Sequence, residues 1–300
     1  MSQDDIRMHE ELLQLLEERR KKAEIDKESY IELKERYTQK LEKIKEELKF
    51  HKDAPSVKVA GERTITQDSL SVSGSATIAG GKIMRDIRIS GAGKISSDVE
   101  CKALRCSGAV KTYGNIIAHG EVKCSGSFRC EGNLHGDENA TFSGSAKISG
   151  EVVIQGHLTV SGSYRSGKNT QAVKGAALTG STTVSGNLMS QNSIKIGGKG
   201  YIEKNILCEN ILIEGRRTVF ESWFFRRQKK LVNVYGSIVA QKNVDIQDVN
   251  VHKNIKGRTV KLGPNTQVQG TVYYVEDLFL SDSVKLSREP IQIKQEELKL

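Results

Sequence analysis

The chain has 300 residues, 46 Lys and Arg against 37 Asp and Glu, and only 5% aromatic residues, so one large aromatic-rich globular core is not expected. No run of 18 apolar residues occurs, which excludes an apolar membrane-spanning helix, and the charged opening MSQDDIRMHEELLQLL lacks the build of a signal peptide. The charge is uneven: residues 1–53 carry 13 basic and 15 acidic side chains, leaving 33 and 22 elsewhere, a body of net +11. Such a body favours acidic partners without choosing among membrane surfaces, nucleic acid and acidic polymers. Five cysteines with no C-x-x-C pair point to free thiols in a reducing compartment, and the expected location is the cytoplasm.

Residues 4–51 are rich in Glu, Lys and Leu, and Tyr30, Leu33, Tyr37, Leu41, Ile44 and Leu48 step by three and four, as on one face of a helix. Met8, Leu12, Leu15 and Leu16 repeat that spacing, and Asp26 stands where it would cap a second helix. The expectation is an arm over residues 1–53, two helices turning near Glu24 to Asp26, with a single long solvated helix as the alternative. The stripe from Tyr30 to Leu48 is the candidate for helical association, either with another copy or with a partner protein.

After a linker at 54–60 a short phrase returns: SVSGSATI at 71, RISGAGKI at 88, RCSGAVKT at 105, KCSGSFRC at 123, TFSGSAKI at 141 and TVSGSYRS at 159. The Ser-Gly pairs begin at 73, 90, 107, 125, 143 and 161, a step of 17 twice and then of 18, and the register continues through ALTGSTTV, IKIGGKGY and LIEGRRTV. Helical repeats need 30 or more residues, whereas a step of 17 or 18 suits one coil of a parallel β-solenoid with three short strands and three corners. Apolar residues alternate within each repeat, so every second side chain points inward. Glycine fits corners that need unusual backbone angles, and a narrow interior that takes small or β-branched residues would explain the scarce aromatics.

The rhythm breaks at FESWFFRRQKKL and resumes with Val234, Val251 and Val268 at intervals of 17. The expected organisation is solenoid over 61–218, an extruded aromatic and basic loop over 219–232, solenoid again over 233–288, and a tail over 289–300. In the loop Trp223, Phe224, Phe225, Arg226, Arg227, Lys229 and Lys230 combine an apolar wedge with cations, a composition suited to an anionic membrane surface or a partner protein. The competing reading is that these aromatics plug the seam between the two stretches. Elsewhere basic residues are scattered between acids and no aromatic platform recurs with the repeat, which argues against nucleic acid.

The reiterated [IVCF]-S-G-[SA] phrase, with its G-N-I and G-E-V elements, resembles the bactofilin polymer-forming cytoskeletal proteins, and the run NIKGRTVKLGPNTQVQGTVYYVEDLFL resembles the last coils of their longer relatives. The resemblance spans the whole repeat region, 61–288. It implies a mainly β protein, a right-handed parallel β-helix of about a dozen coils that assembles end to end without nucleotide, in a prokaryote. The solenoid is about twice the length of a compact bactofilin domain and carries a helical arm in place of a short tail. That arm, AEIDKESYIELKERYTQKLEKI, is similar to the SHOCT helical module, which suggests oligomerisation or docking, though the glycine common at its turn is absent.

Three patterns invite chemistry. Gly162 to Asn169 is one residue short of a phosphate-binding loop, but a true one opens a helix and here another repeat follows. Glycines at sixths suggest solenoid acyltransferases with a histidine base, yet Ser precedes the main glycine and His119, His135 and His157 share no column, so they read as surface residues. Cys106 and Cys124 stack on adjacent coils with Cys101 and Cys130 flanking them, and interior packing explains them better than a metal site. No catalytic, cofactor or metal residues are expected. The function anticipated is a non-enzymatic scaffold that self-assembles through solenoid ends, with a non-polymerising adaptor as the alternative.

Overall fold

Helix-forming Glu, Lys, Leu and Arg fill the first 52 positions without Gly or Pro. The computed structural model describes residues 3–22, 24–52, 57–61, 63–66, 68–214 and 232–298, and its first elements are two helices, α1 at Gln3–Lys21 and α2 at Lys27–Lys52. The turn forms at the expected cap: the Ser29 amide donates to Asp26 Oδ1 at 2.8 Å. Arg20 Nη1 donates to the Ile25 carbonyl at 3.0 Å, and Lys34 Nζ reaches Glu17 across the hairpin at 3.0 Å. Leu16 and Leu41 are buried while Tyr30, Leu33 and Tyr37 are half-buried. Met8 and Leu15 stay about half exposed, so only part of the α1 stripe is covered. Residues 1–55 and 56–300 are separate compact units.

The second unit is a parallel β-solenoid of about twelve coils, each of three short strands. Its register reproduces the sequence period: Val72 pairs with Ile89 and Cys106 with Cys124, each with its counterpart one repeat later. Alternation along each strand sends one set of side chains inward, where they stack on their equivalents. Leu70, Ile87, Leu104, Val122, Ala140 and Leu158 form one such fully buried column.

Two expectations about the interior need correction. Phe128, Phe142 and Tyr164 lie inside and are 1% exposed, so the bore is not limited to small or β-branched residues. They fit because small neighbours stack above and below: Phe128 sits between Val110 and Ala146, Tyr164 between Ala146 and Thr182, and Phe142 on Cys124. The rings of Phe128 and Phe142 are 5.4 Å apart, and the Tyr164 hydroxyl shares a 3.0 Å hydrogen bond with Thr170 Oγ1. The second correction concerns glycine. At Gly126 the backbone angle is ordinary, and the requirement is close approach: a Cβ there would lie 2.1 Å from the Gly108 carbonyl oxygen. Gly180, with φ of 106°, is a corner where the left-handed region is used as well.

A polar ladder holds another corner. Side-chain oxygens of one coil accept the backbone amide of the next: Asn115 accepts from Asn133 at 2.9 Å, Asn133 from Glu151 at 2.8 Å, Asn169 from Asn187 at 2.9 Å, and Asn187 from Asn205 at 3.0 Å. Asn205 continues the ladder to Ser237 at 2.9 Å, across a much longer stretch of sequence. The insertion in that gap falls within one coil. Strand Ser193–Ile202 pairs with both Asn210–Glu214 and Val232–Val234, so the array runs on in register past 215–231.

The first strands break the parallel rule. Val57–Ala60 runs antiparallel to Ser75–Ile78, and Arg63–Ile65 antiparallel to Ser69–Val72. The chain folds back through a turn in which the Ser69 amide donates to Thr66 Oγ1 at 3.0 Å, and then retraces its own corner.

Gly126→Ala should lower stability by about 2–3 kcal/mol, because the added methyl group forces the two backbones apart. Thr112→Val should raise it by about 1 kcal/mol, since the buried Thr112 hydroxyl has no hydrogen-bond partner. Urea denaturation midpoints check both, and a destabilised Thr112→Val would contradict the packing described.

Candidate functional site

The nucleotide-like stretch does not build a phosphate cradle. Gly162 stacks on Gly144, strand Ser163–Ser166 follows in place of a helix, and Tyr164 is buried in the core. The cysteines lie inside: all five are buried and unpaired. Burial pushes the Cys101 and Cys208 thiols up to about 12 and the Cys130 thiol up to about 11. Cys124 is raised chiefly by its hydrogen bond with the Cys106 thiol stacked beside it. Such thiols hold little thiolate at neutral pH and are poor nucleophiles and metal ligands. Among the described residues no group of three or more His, Cys, Asp and Glu side chains is placed to hold a metal ion.

Two of the histidines come together, although they belong to different columns of the array. His119 lies at a corner and His135 on a strand, and Asp137 reaches both: its Oδ2 is 2.8 Å from His119 Nδ1 and its Oδ1 2.9 Å from His135 Nε2. The other ring nitrogen of His119 is 3.0 Å from Glu100, which also pairs with Lys82 at 3.0 Å. Both His119 nitrogens face carboxylates, so the imidazolium, with two N–H donors, is the form that satisfies both contacts. Its hydrogen bonds to Glu100 and Asp137 raise the His119 pKa, while those same bonds lower both carboxylates. The cluster is a surface network joining several coils. His157 is elsewhere, with its amide bonded to Asn139 Oδ1 at 2.8 Å.

The two ends of the array differ. At the first coil the reversed strands Val57–Ala60 and Arg63–Ile65 cover two faces. At the last coil, strand Val272–Leu280 is paired along Ile255–Leu262, but on its outer edge the pairing among the described residues is confined to Tyr273 and Tyr274 with Ile291 and Gln292, beside a bond from Gln292 Nε2 to the Val275 carbonyl at 3.0 Å. Among the described residues, 277–280 therefore present an unpaired strand edge. Leu278 and Leu280 continue the interior columns of Val260 and Leu262, yet Leu280 is 46% exposed, beside Phe279 at 56%. Ile291, which continues the outward column of Lys256 and Tyr273, is 47% exposed. The tail closes only part of this end, through the Ile293 amide on the Tyr274 carbonyl at 2.8 Å and a short turn that buries Leu298.

No family model, curated protein or solved structure matches this chain.

Along the array, outward side chains stack as regularly as inward ones. Arg88, Arg105 and Lys123 occupy one outward column and, with the hydroxyls of Ser90, Ser107 and Ser125, line a groove of about 460 Å³. Asp86 offsets part of this charge, at 3.1 Å from Arg88 and 2.7 Å from Arg105. A longer cationic column lies round the corner. Chain order hid both, because neighbours in a column are a whole coil apart in sequence. Of the residues singled out for association, Tyr30, Leu33, Tyr37 and Leu41 lie on the covered or half-covered side of α2. Ile44 and Leu48 are on α2 with side chains outside those described, and Trp223, Phe224, Phe225, Arg226, Arg227, Lys229 and Lys230 lie outside the described residues altogether.

The cluster sets a pH window. A raised His119 pKa gives a contribution that is complete below the unfolded value and lost as pH rises through the folded one. Lowered Glu100 and Asp137 pKa values give contributions present above their unfolded values and lost as pH falls through the folded ones. The network should thus be strongest between the carboxylate and imidazole limbs. NMR titration should place His119 above its usual 6.5, and Asp137→Asn should bring it back down. The thiols should resist alkylation at mildly alkaline pH until the chain is unfolded, read by mass spectrometry with and without denaturant.

Proposed function

We propose that this chain is a non-enzymatic, bactofilin-like scaffold that self-associates through the open C-terminal end of its solenoid, without nucleotide. The observation that carries the reading is the last coil, where a strand edge at 277–280 that no described residue pairs coincides with the exposed Leu280, which continues the interior column of Leu262. A second copy docked there would extend the backbone hydrogen bonding and continue the apolar stack in one step. The first coil supports the same choice, since its reversed strands occupy two of the faces on which a parallel neighbour would build.

Magnitudes favour a reversible contact. Phe279, Leu280 and Ile291 are each about half exposed, so covering each contributes on the order of 1 kcal/mol. A symmetric contact between two such ends covers every one of them twice. Association costs about 4–15 kcal/mol in lost freedom, so the strand-edge hydrogen bonds must supply much of the rest. Assembly is accordingly concentration-dependent. No described helix is long and apolar enough to cross a membrane, and the proposed rod works in the cell interior or at a membrane surface. The alternative, an adaptor that stops at discrete particles, draws support from the covered first coil, with the helical hairpin 3–52 or the segment 219–231 meeting a partner protein or an anionic membrane.

Negative-stain electron microscopy and analytical ultracentrifugation over a concentration series separate these readings. The unaltered chain should form two-copy rods about twice as long as one solenoid, which is about 60 Å for a dozen coils at ~4.8 Å each. Leu280→Glu with Phe279→Glu should reduce assembly at least about tenfold in concentration, as burying unpaired charge at an interface requires. Monomers at every concentration would overturn the proposal, and assembly indifferent to those two substitutions would move it to another surface.

A further inference from the structure

The third position of the solenoid's second face carries Lys94, Lys111, Arg129, Lys147 and Arg165 on five successive coils, each directly paired with the next. All five point outward and are exposed or half-exposed. At ~4.8 Å between stacked strands the row spans about 19 Å in a straight line. Among the described residues one carboxylate pairs with it: Glu131, 2.8 Å from Arg129 and 3.8 Å from Lys111. Tyr113 lies under Lys94 and Lys111, its ring centre 4.9 and 4.2 Å from their ammonium groups. The row is thus a line of five cations with one partial counter-charge.

The fold does not require this charge. Thr77 precedes the row and Thr183 follows it in the same column, in coils equally well paired. Like charges stacked on adjacent strands oppose each other, so the row is a standing cost to stability that an anionic partner would relieve.

We propose that this row is a docking track for an acidic polysaccharide, a linear chain bearing carboxylates at regular intervals and lying along the solenoid axis. Shape favours a linear polyanion, since the cations form a line and not a patch. The outward column beside them is Ala92, Ala109, Ser127, Ser145 and Ser163, small and exposed, leaving room for sugar rings and offering hydroxyls to theirs. A single-stranded nucleic acid would call for recurring aromatic platforms, and among the described residues Tyr113 is the one ring against the row. A membrane surface would call for several apolar side chains that enter the headgroup region, and the row is flanked by alanine methyls on one side and the exposed Tyr113 on the other.

The test is binding of polygalacturonate oligomers to the full chain, by isothermal titration calorimetry at about 20 mM and about 200 mM salt, where counterion release makes a salt-sensitive affinity diagnostic. Lys94→Gln, Lys147→Gln and Arg165→Gln together are compared with Lys102→Gln, Lys174→Gln and Lys253→Gln, which remove the same charge elsewhere on the array. The row variant should bind at least about tenfold more weakly, with a log–log salt slope lower by about two to three, while the control changes less than about twofold. The row variant should also melt at or above the parent, so lost binding is not lost folding. The proposal is overturned by no binding at low salt, by equal weakening in both variants, or by tighter row-dependent binding of single-stranded DNA oligomers or phosphatidylglycerol vesicles.

Discussion

Every property of the solenoid follows from one constraint: the backbone of each coil must meet the next in parallel register. That requirement fixes the sequence period and places each residue on its counterpart one coil away. Inside, it builds the Leu70 to Leu158 column. At the corners it brings backbones so close that Gly126 has no room for a methyl group, and it lets asparagine oxygens cap the amides of the following coil. Outside, the same register stacks side chains that owe nothing to packing, which is how cations far apart in sequence become a row.

A structure built only from neighbour contacts has two ends where the contacts stop. This chain treats them differently. The first coil is closed on two faces by a segment folded back antiparallel, which occupies strand edges on which a parallel neighbour would build. The last coil keeps a strand edge that no described residue pairs, with exposed leucine, phenylalanine and isoleucine side chains. The proposed scaffold role rests on that asymmetry, and the polysaccharide track rests on the flank, so the two stand independently.

The repeat was legible because Ser-Gly pairs mark the corner where coils approach most closely, and so close an approach leaves no substitute for glycine. The helical turn was legible through Asp26, whose cap forms as its position implies. The reversed strands were not, since residues 57–66 alternate like any strand and alternation does not encode the direction of a neighbour. The aromatics inside escaped notice because room for Phe128 depends on Val110 and Ala146, residues a whole coil away. The His119–Asp137–His135 contacts escaped because a corner residue and a strand residue share a carboxylate while belonging to different columns.

The most direct measurement is hydrogen–deuterium exchange along the whole chain at low and high protein concentration. The central coils, with both neighbours in place, should be strongly and equally protected at either concentration. Amides of the 277–280 edge that point away from the preceding coil should exchange quickly when dilute and slow markedly when concentrated, as a second copy covers the open end, whereas Ser281 and Lys285, which donate to the Leu262 and Thr266 carbonyls, should change less. Outward amides of 277–280 that are already protected in dilute solution, or whose protection ignores concentration, would contradict the account.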